Sequence, residues 1–129
     1  MLIQFRSKRK PTGGLYHKLR KRKKRDIGSD FLPIKIGNEK KKKLRTFGGN
    51  FKIRLLEANT LNLFNPKTNK SEKVKIITVK ENPANPHFVR MNIITKGAIV
   101  QTEKGLAKVT NRPGQEGIIN AVLVEEEKK

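Results

Sequence analysis

The sequence predicts a mainly β protein, a small closed or partly open β-barrel with a basic, extended N-terminal arm. Two observations indicate this fold class. From residue 44 onward, short β-rich runs are separated by turn residues, as in all-β domains and unlike βαβ units. Ahead of them, residues 1–25 carry eleven positive charges and no negative charge, which a core could not bury. The expected division is residues 1–43 as the arm, 44–124 as the barrel and 125–129 as a solvated tail.

The charge is distributed unevenly along the chain. The 129 residues contain 31 Lys and Arg against 11 Asp and Glu, for a net charge of +20. Residues 1–50 hold 17 basic and 3 acidic side chains, whereas residues 51–129 hold 14 and 8. The arm therefore repels itself, and we expect it to become ordered against a polyanion whose phosphates replace its counterions. These features indicate a nucleic-acid-binding protein.

The arm has one break in its charge, Pro11-Thr12-Gly13-Gly14. Two successive glycines permit positive φ and a close approach of backbone N–H groups to a phosphate, or they form only a flexible break. Leu15 and Leu19 are four residues apart, so a short helix over residues 15–25 can form once phosphates neutralise its charge. His17 beside Tyr16 can stack on a base or hydrogen-bond a phosphate, or it is simply a solvent-facing imidazole.

A second basic run, Lys40-Lys41-Lys42-Lys43 with Arg45, precedes the turn Gly48-Gly49-Asn50. A charge run is usually only a solvated surface. Here contact with a ligand is favoured, because the rest of the chain has too few acidic residues to pair with it. In Phe51-Lys52-Ile53-Arg54-Leu55 apolar and basic residues alternate, which predicts a strand whose basic side chains face water or ligand.

The barrel strands are predicted in order at residues 51–55, 60–64, 73–78, 98–102, 106–110 and 118–124. Two apolar doublets, Leu55-Leu56 and Ile76-Ile77, break the alternation and predict bulges or strands with both faces covered. Turns are predicted at residues 65–69 and 82–86, with a tight hairpin at Lys104-Gly105 and a type II turn centred on Pro113-Gly114. Little room remains for helix.

Residues with catalytic or metal-binding chemistry are few. The chain has no Cys, its histidines are His17 and His87, and its acidic residues are dispersed. Neither a pair of carboxylates with acid–base spacing nor a phosphate-binding glycine loop is present in the sequence. We therefore expect that the protein is not an enzyme and that it has no cofactor, no metal site and no small-molecule substrate. Apolar runs are too short for a signal peptide or a membrane span, which predicts a soluble intracellular protein.

Several motifs resemble those of one known family, the eukaryotic and archaeal protein eight of the small ribosomal subunit. These motifs cover almost the whole chain in the family's order. Like archaeal members, the chain lacks the long insertion found in eukaryotic members. The motifs are Arg9-Lys10-Pro11-Thr12-Gly13-Gly14, the alternating Arg20, Arg22 and Lys24, Thr46-Phe47-Gly48-Gly49-Asn50-Phe51-Lys52, Lys96-Gly97-Ala98-Ile99-Val100 and Thr110-Asn111-Arg112-Pro113-Gly114-Gln115-Glu116-Gly117.

The resemblance implies a cytoplasmic, structural constituent of the small ribosomal subunit that supports translation, with ribosomal RNA and neighbouring ribosomal proteins as partners. The arm would neutralise phosphates and add affinity, while the barrel surface would fix position. The residues expected to contact RNA are Arg6, Lys8, Arg9, Lys10, Thr12, Gly13, Gly14, Tyr16, His17, Lys18, Arg20, Lys21, Arg22, Lys23, Lys24, Arg25, Lys40, Lys41, Lys42, Lys43, Arg45, Lys52 and Arg54.

Two other interpretations use the same basic arm. A general nucleic-acid-binding or packaging protein outside the ribosome would share the charge, but it should not prefer structured ribosomal RNA over duplex DNA. A protein of the membrane surface would bind anionic lipid, but the arm lacks an acyl signal, a Trp and a wide apolar face. Competition between the two nucleic acids and sedimentation with liposomes would discriminate among these interpretations.

Overall fold

The computed structural model describes residues 7–17, 21, 23 and 27–124, and the chain divides into two compact units, Met1–Phe31 and Leu32–Lys129. The described residues of the second unit form eight strands and two short helices. In chain order these are β1 (Lys35–Ile36), β2 (Lys40–Arg45), β3 (Phe51–Ala58), β4 (Thr60–Asn65), β5 (Lys70–Glu81), α1 (His87–Arg90), β6 (Ile99–Thr102), β7 (Gly105–Val109), α2 (Pro113–Glu116) and β8 (Asn120–Leu123).

The last five strands form a closed barrel in the order β4-β5-β6-β7-β8. Consecutive strands pair antiparallel, and a parallel pair between β8 and β4 closes the ring. Because closure leaves no free sheet edge, the barrel is protected from edge-to-edge association. The prediction of a mainly β fold with a small barrel is confirmed, and the strands predicted from residue 60 onward lie within a few residues of β4 to β8. The strand predicted at residues 51–55 is β3, which lies in a separate sheet and not in the barrel.

The first three strands form a separate sheet in the order β1-β3-β2. Strand β3 lies at its centre, antiparallel to β2 and parallel to β1. The basic run at residues 40–45 is therefore a strand. It belongs to the compact unit that begins at Leu32 and also contains the barrel. The division of the chain by role at residue 43 stays a prediction.

Both apolar doublets lie at register shifts. In β5 the pairing with β6 skips Ile77, whose side chain is 51% exposed. In β3 the pairing with β2 skips Leu56. An extra residue on one strand bends it and increases its twist, which is what a tightly curved sheet needs. The bulges predicted from the sequence are thus confirmed.

The core is built from the inward side chains of the barrel and from residues that precede it. In β4, Leu61 and Leu63 are buried, whereas Asn62 and Phe64 face outward, as the two-residue period of a strand requires. Each fully buried side chain of this size contributes about 1.5–3 kcal/mol. Other members of the cluster are Ile34, Leu55, Ala58, Val74, Ile76, Val79, Ile94, Val100, Ala107, Val109, Ile119 and Ala121. The three-stranded sheet is therefore anchored through Leu55 and Ala58 to the core of the barrel.

The predicted hairpin between β6 and β7 is confirmed, with its turn one residue earlier than expected. Thr102 pairs with Gly105, so Glu103 and Lys104 form the turn. The Thr102 hydroxyl donates to the Gly105 carbonyl at 2.8 Å and accepts from the Lys104 N–H at 3.3 Å. Thr102 thereby fixes the turn from within the core, since its side chain is buried.

The type II turn predicted at Pro113-Gly114 is wrong, because these residues begin helix α2. Proline has the φ of a first helical turn and loses no needed N–H there. The left-handed residue that a type II turn would require at Gly114 is instead Gly117, which ends α2 at φ 76°. A Cβ at Gly117 would lie 3.1 Å from Cγ2 of Ile53 and would be strained by the positive φ, so glycine is favoured where α2 packs on β3.

Within the described ranges, neither α1 nor α2 approaches the length and apolar character of a membrane-spanning helix.

Candidate nucleic-acid interface

Residues 8–16 of the arm form a small closed loop. Arg9 and Leu15 make an antiparallel bridge, and the Tyr16 N–H donates to the Lys8 carbonyl at 3.0 Å. At the tip, the Lys10 N–H donates to the Gly14 carbonyl at 2.8 Å. The break in charge at residues 11–14 is therefore a turn that reverses the chain, not a flexible gap.

Positive φ occurs at the first of the two glycines. Gly13 has φ 87°, and its carbonyl accepts from a guanidinium N–H of Arg9 at 2.9 Å. The Lys10 ammonium lies 5.8 Å from the centroid of the Tyr16 ring. All side chains from Ser7 to His17 are exposed, so the loop presents its cations to solvent. Leu15 is a bridge residue here, and the helix expected over residues 15–25 once phosphates neutralise its charge stays a prediction.

Several predicted contact residues of the arm lie outside the described residues, and so does most of the predicted helix. Lys21 and Lys23 are described and are exposed. The predicted contact residues outside the described ranges are Arg6, Lys18, Arg20, Arg22, Lys24 and Arg25.

The second unit brings the other predicted residues together on one hairpin. We call residues 40–54, from β2 through the turn into β3, the basic hairpin. It contains seven cations and no acidic residue. The cations on its two strands are Lys40, Lys41, Lys42, Lys43, Arg45, Lys52 and Arg54.

One face of the basic hairpin is cationic across both strands. Lys42 pairs directly with Arg54, and Leu44 pairs with Lys52. Directly opposite residues of an antiparallel pair project to the same side, so three cations share this face. Like charges placed opposite each other destabilise a sheet unless an anion lies against them. Three cations on one face give it a positive potential that suits a polyanion.

The other face combines cations with apolar side chains. Lys43 pairs with Ile53 and Arg45 pairs with Phe51. The Lys43 ammonium lies 4.2 Å from the centroid of the Phe51 ring, a cation–π contact. Toward the barrel this face becomes apolar and buried, ending at Leu55, which is 1% exposed. The same hairpin is thus fixed to the core at one end and free to meet a ligand at the other.

The tip of the basic hairpin is a tight turn that displays one phenyl ring. Residues Phe47–Gly49 form a single 3-10 turn, closed where the Thr46 N–H donates to the Asn50 carbonyl at 2.7 Å. Gly48 and Gly49 have φ 74° and 76°, a conformation that other residues rarely adopt. Phe47 is 98% exposed.

One predicted contact residue has an acidic neighbour. Lys41 forms an ion pair with Glu39, and this contact holds the pKa of the Glu39 carboxyl below its usual value. Both groups are exposed, so the pair contributes little to stability. Lys41 is therefore less available for phosphate than its neighbours in β2, a difference that the run of four lysines does not indicate.

Other candidate contact residues were not selected from the sequence. Phe47 and Phe51 were noted only as parts of a motif and a strand, although an apolar residue beside two glycines at a turn signals exposure. On β5, outward-facing lysines alternate with the buried Val74 and Ile76, and this period-two pattern could have identified them as a second basic surface. These lysines are Lys73 and Lys75, with Lys80 beyond the bulge, and Lys70 at the start of β5 is also exposed.

Comparison with known proteins gives a consistent family. The profile of the family described as ribosomal protein S8e matches residues 3–124. Proteins named small ribosomal subunit protein eS8 from Methanosphaerula palustris and Methanospirillum hungatei are each 51% identical over 97% of this chain and 100% of their own length. The protein of that name from Methanocorpusculum labreanum is 50% identical over the same shares. The match covers the arm, the basic hairpin and the barrel together, so the chain belongs to the ribosomal protein S8e family.

Proposed function

We propose that this chain is a structural, non-catalytic constituent of the small ribosomal subunit in the cytoplasm, where it binds and stabilises ribosomal RNA and supports translation. Its relatives are named as small-subunit proteins, and the match covers their full length. The observation that carries the RNA-binding mechanism is the cationic face of the basic hairpin, where Lys42 opposes Arg54. Phosphates would remove the repulsion between them and gain charge-assisted hydrogen bonds.

The two basic regions have different roles in this proposal. The basic hairpin is a preformed surface, since β3 is paired on both sides and anchored in the core through Leu55. It sets the position of the protein on RNA with little loss of conformational freedom. The arm ahead of the basic hairpin adds affinity through phosphate contacts of residues 6–25, and its loop at residues 8–16 carries cations on a tight turn. Recognition follows RNA shape more than base edges, because Lys and Arg dominate the surface.

Co-sedimentation with small subunits tests the proposal. The full chain is expressed with an affinity tag in its host, and lysate is sedimented through a gradient. The same is done with a variant that lacks residues 1–25 and with a full-length variant in which the eleven Lys and Arg of that segment are changed to Gln. The full chain should travel with small subunits, and both variants should be lost from them while circular dichroism still reports the barrel.

Each contrary outcome has a clear meaning. Unchanged association of both variants would refute the division of labour between arm and hairpin. Loss with the deletion alone would assign the effect to the arm's length or contacts other than charge. A full chain that stays at the top of the gradient would refute the ribosomal role. Equal binding of ribosomal RNA and duplex DNA at physiological salt would favour a packaging protein instead.

A further inference from the structure

We propose that Phe47, at the tip of the basic hairpin, stacks on an unpaired base of the ribosomal RNA, an inference that rests on the proposed function. Phe47 is 98% exposed, so both faces of its ring are open to solvent. A phenyl ring in water forfeits the free energy that its burial would provide. Such a ring at the end of a projecting hairpin is explained if a partner covers it.

The backbone of the tip is built to hold this ring outward. Gly48 and Gly49 take positive φ one after the other, and the Asn50 side chain donates to the Phe47 carbonyl at 3.3 Å. The Thr46 N–H to Asn50 carbonyl bond closes the turn beneath the ring. A side chain other than glycine at Gly49 would be strained by its φ alone. The ring is therefore presented by a defined turn and not by a loose loop.

The surroundings of Phe47 identify the partner as nucleic acid. Arg45 directly precedes the turn and Lys52 follows it by two residues, and residues 40–54 contain no acidic side chain. An apolar pocket on a protein could take a phenyl ring but would not by itself neutralise seven cations. A nucleotide offers both partners at once, since its base has a stacking face and its phosphate carries a negative charge.

Phe51 does not serve the same purpose. The Lys43 ammonium lies 4.2 Å from its ring centroid, so one face of the ring already has a cation. Phe51 is also 56% exposed, well below Phe47. Phe51 positions Lys43, whereas Phe47 is free to stack.

Affinity measurements with in vitro transcribed small-subunit ribosomal RNA and the full chain test the inference. Phe47→Ala should weaken binding by roughly 5- to 150-fold, the range for losing one base–aromatic stack. Phe47→Trp should bind within a few-fold of the wild type, and Phe47→Leu should behave like Phe47→Ala. The slope of log affinity against log salt should not change with Phe47→Ala, because no phosphate contact is lost. Met91→Ala, which removes a side chain 53% exposed elsewhere, is the matched control and should bind as the wild type does.

The outcomes separate this inference from the proposed function. If a triple Lys42, Lys43 and Arg45 change to Ala loses binding while Phe47→Ala does not, the stacking inference alone fails. If neither change weakens binding, the RNA surface itself is wrong. A photoreactive p-benzoyl-phenylalanine in place of Phe47, illuminated in purified small subunits, should cross-link to a single-stranded nucleotide. A cross-link to a neighbouring protein would overturn the inference.

Discussion

Lys42 lies directly opposite Arg54 across the pair of β2 and β3, so two cations face the same side of the basic hairpin. Like charges directly opposite each other destabilise an antiparallel pair, so this pairing opposes folding of the isolated protein. In the proposed RNA complex, one phosphate accepts hydrogen bonds from both side chains and removes the repulsion. On this proposal the pair lowers the stability of the free protein and raises its affinity for RNA.

Lys42→Glu separates these two effects. A carboxylate opposite Arg54 replaces a repulsive pair by an attractive one, so the free energy of unfolding in urea should rise by about 0.2–1 kcal/mol. Affinity for small-subunit ribosomal RNA in a filter-binding assay should fall, because the variant repels phosphate. Lys108→Glu is the matched control, with the same change in charge but with Ile99 and Val122 as its cross-strand partners. Higher stability without loss of RNA affinity would exclude the cationic face from the RNA surface.

The arm should dominate the dependence of binding on salt. If it neutralises about ten phosphates, log affinity for ribosomal RNA falls with log salt at a slope of roughly −7 to −9. Removal of residues 1–25, which carry eleven cations, should leave a slope set by the basic hairpin and the barrel surface. Titrations at several salt concentrations measure both slopes. Equal slopes for the two proteins would show that the arm makes no phosphate contacts.

The barrel could be predicted from the sequence because its signals are local. Alternation in β4 and β5 follows from the pleat of a strand, and the doublet Ile76-Ile77 marks the residue that the pairing skips. Pro113-Gly114 was misjudged because the same dipeptide suits a turn and a helix start. Its outcome depends on Gly117, which packs against Ile53 of β3. That contact joins distant parts of the chain and has no local signature.

The sequence indicates the charge of the basic hairpin but not its strand β2. The structure places its predicted cations on one hairpin, and their contact with RNA stays a prediction. Four successive lysines have low β propensity and no alternation, so nothing local predicts strand β2. The strand exists because its backbone pairs with β3 across the turn at residues 46–50. The apolar type of Phe47 alone suggests burial. The two glycines that follow it indicate a turn, and their left-handed φ in the structure explains why the ring is exposed.

Asn82 should be a determinant of stability and not of binding. Its side chain is buried, donates to the Ile93 carbonyl at 3.1 Å, and accepts from the Ala84 N–H at 3.0 Å and the Thr95 hydroxyl at 2.9 Å. Asn82→Ala leaves these groups without that partner, so the free energy of unfolding should fall by roughly 1–3 kcal/mol. Thr95→Val removes only one of the bonds and should cost less. Urea unfolding measures both losses. A fall in RNA affinity of Asn82→Ala under conditions where the variant is still folded would contradict this role.

Glu116 should make stability depend on acid pH through the contact of α2 with the loop before it. Its carboxylate accepts from the Asn111 side-chain amide at 3.0 Å and from the Arg112 N–H at 3.3 Å. These hydrogen bonds, that from Asn111 first, hold the pKa of the Glu116 carboxyl below its ordinary value of 4.5. Because the folded state lowers this pKa, the carboxylate stabilises the fold above pH 4.5, and this contribution is lost as pH falls through the lowered value.

Glu116→Gln isolates this contribution. The variant should be less stable than the wild type at neutral pH, and the two unfolding free energies should converge as the pH falls well below 4.5 and the wild-type carboxyl becomes protonated. Urea unfolding at a series of pH values measures the difference. The pKa values of the Glu39 and Glu72 carboxyls are also lowered, by Lys41 and Lys104, but both proteins contain these groups, so their effect cancels in the difference. A difference that stayed constant into acid would mean that the substitution disturbs the packing of α2 on β3 rather than removing a charge.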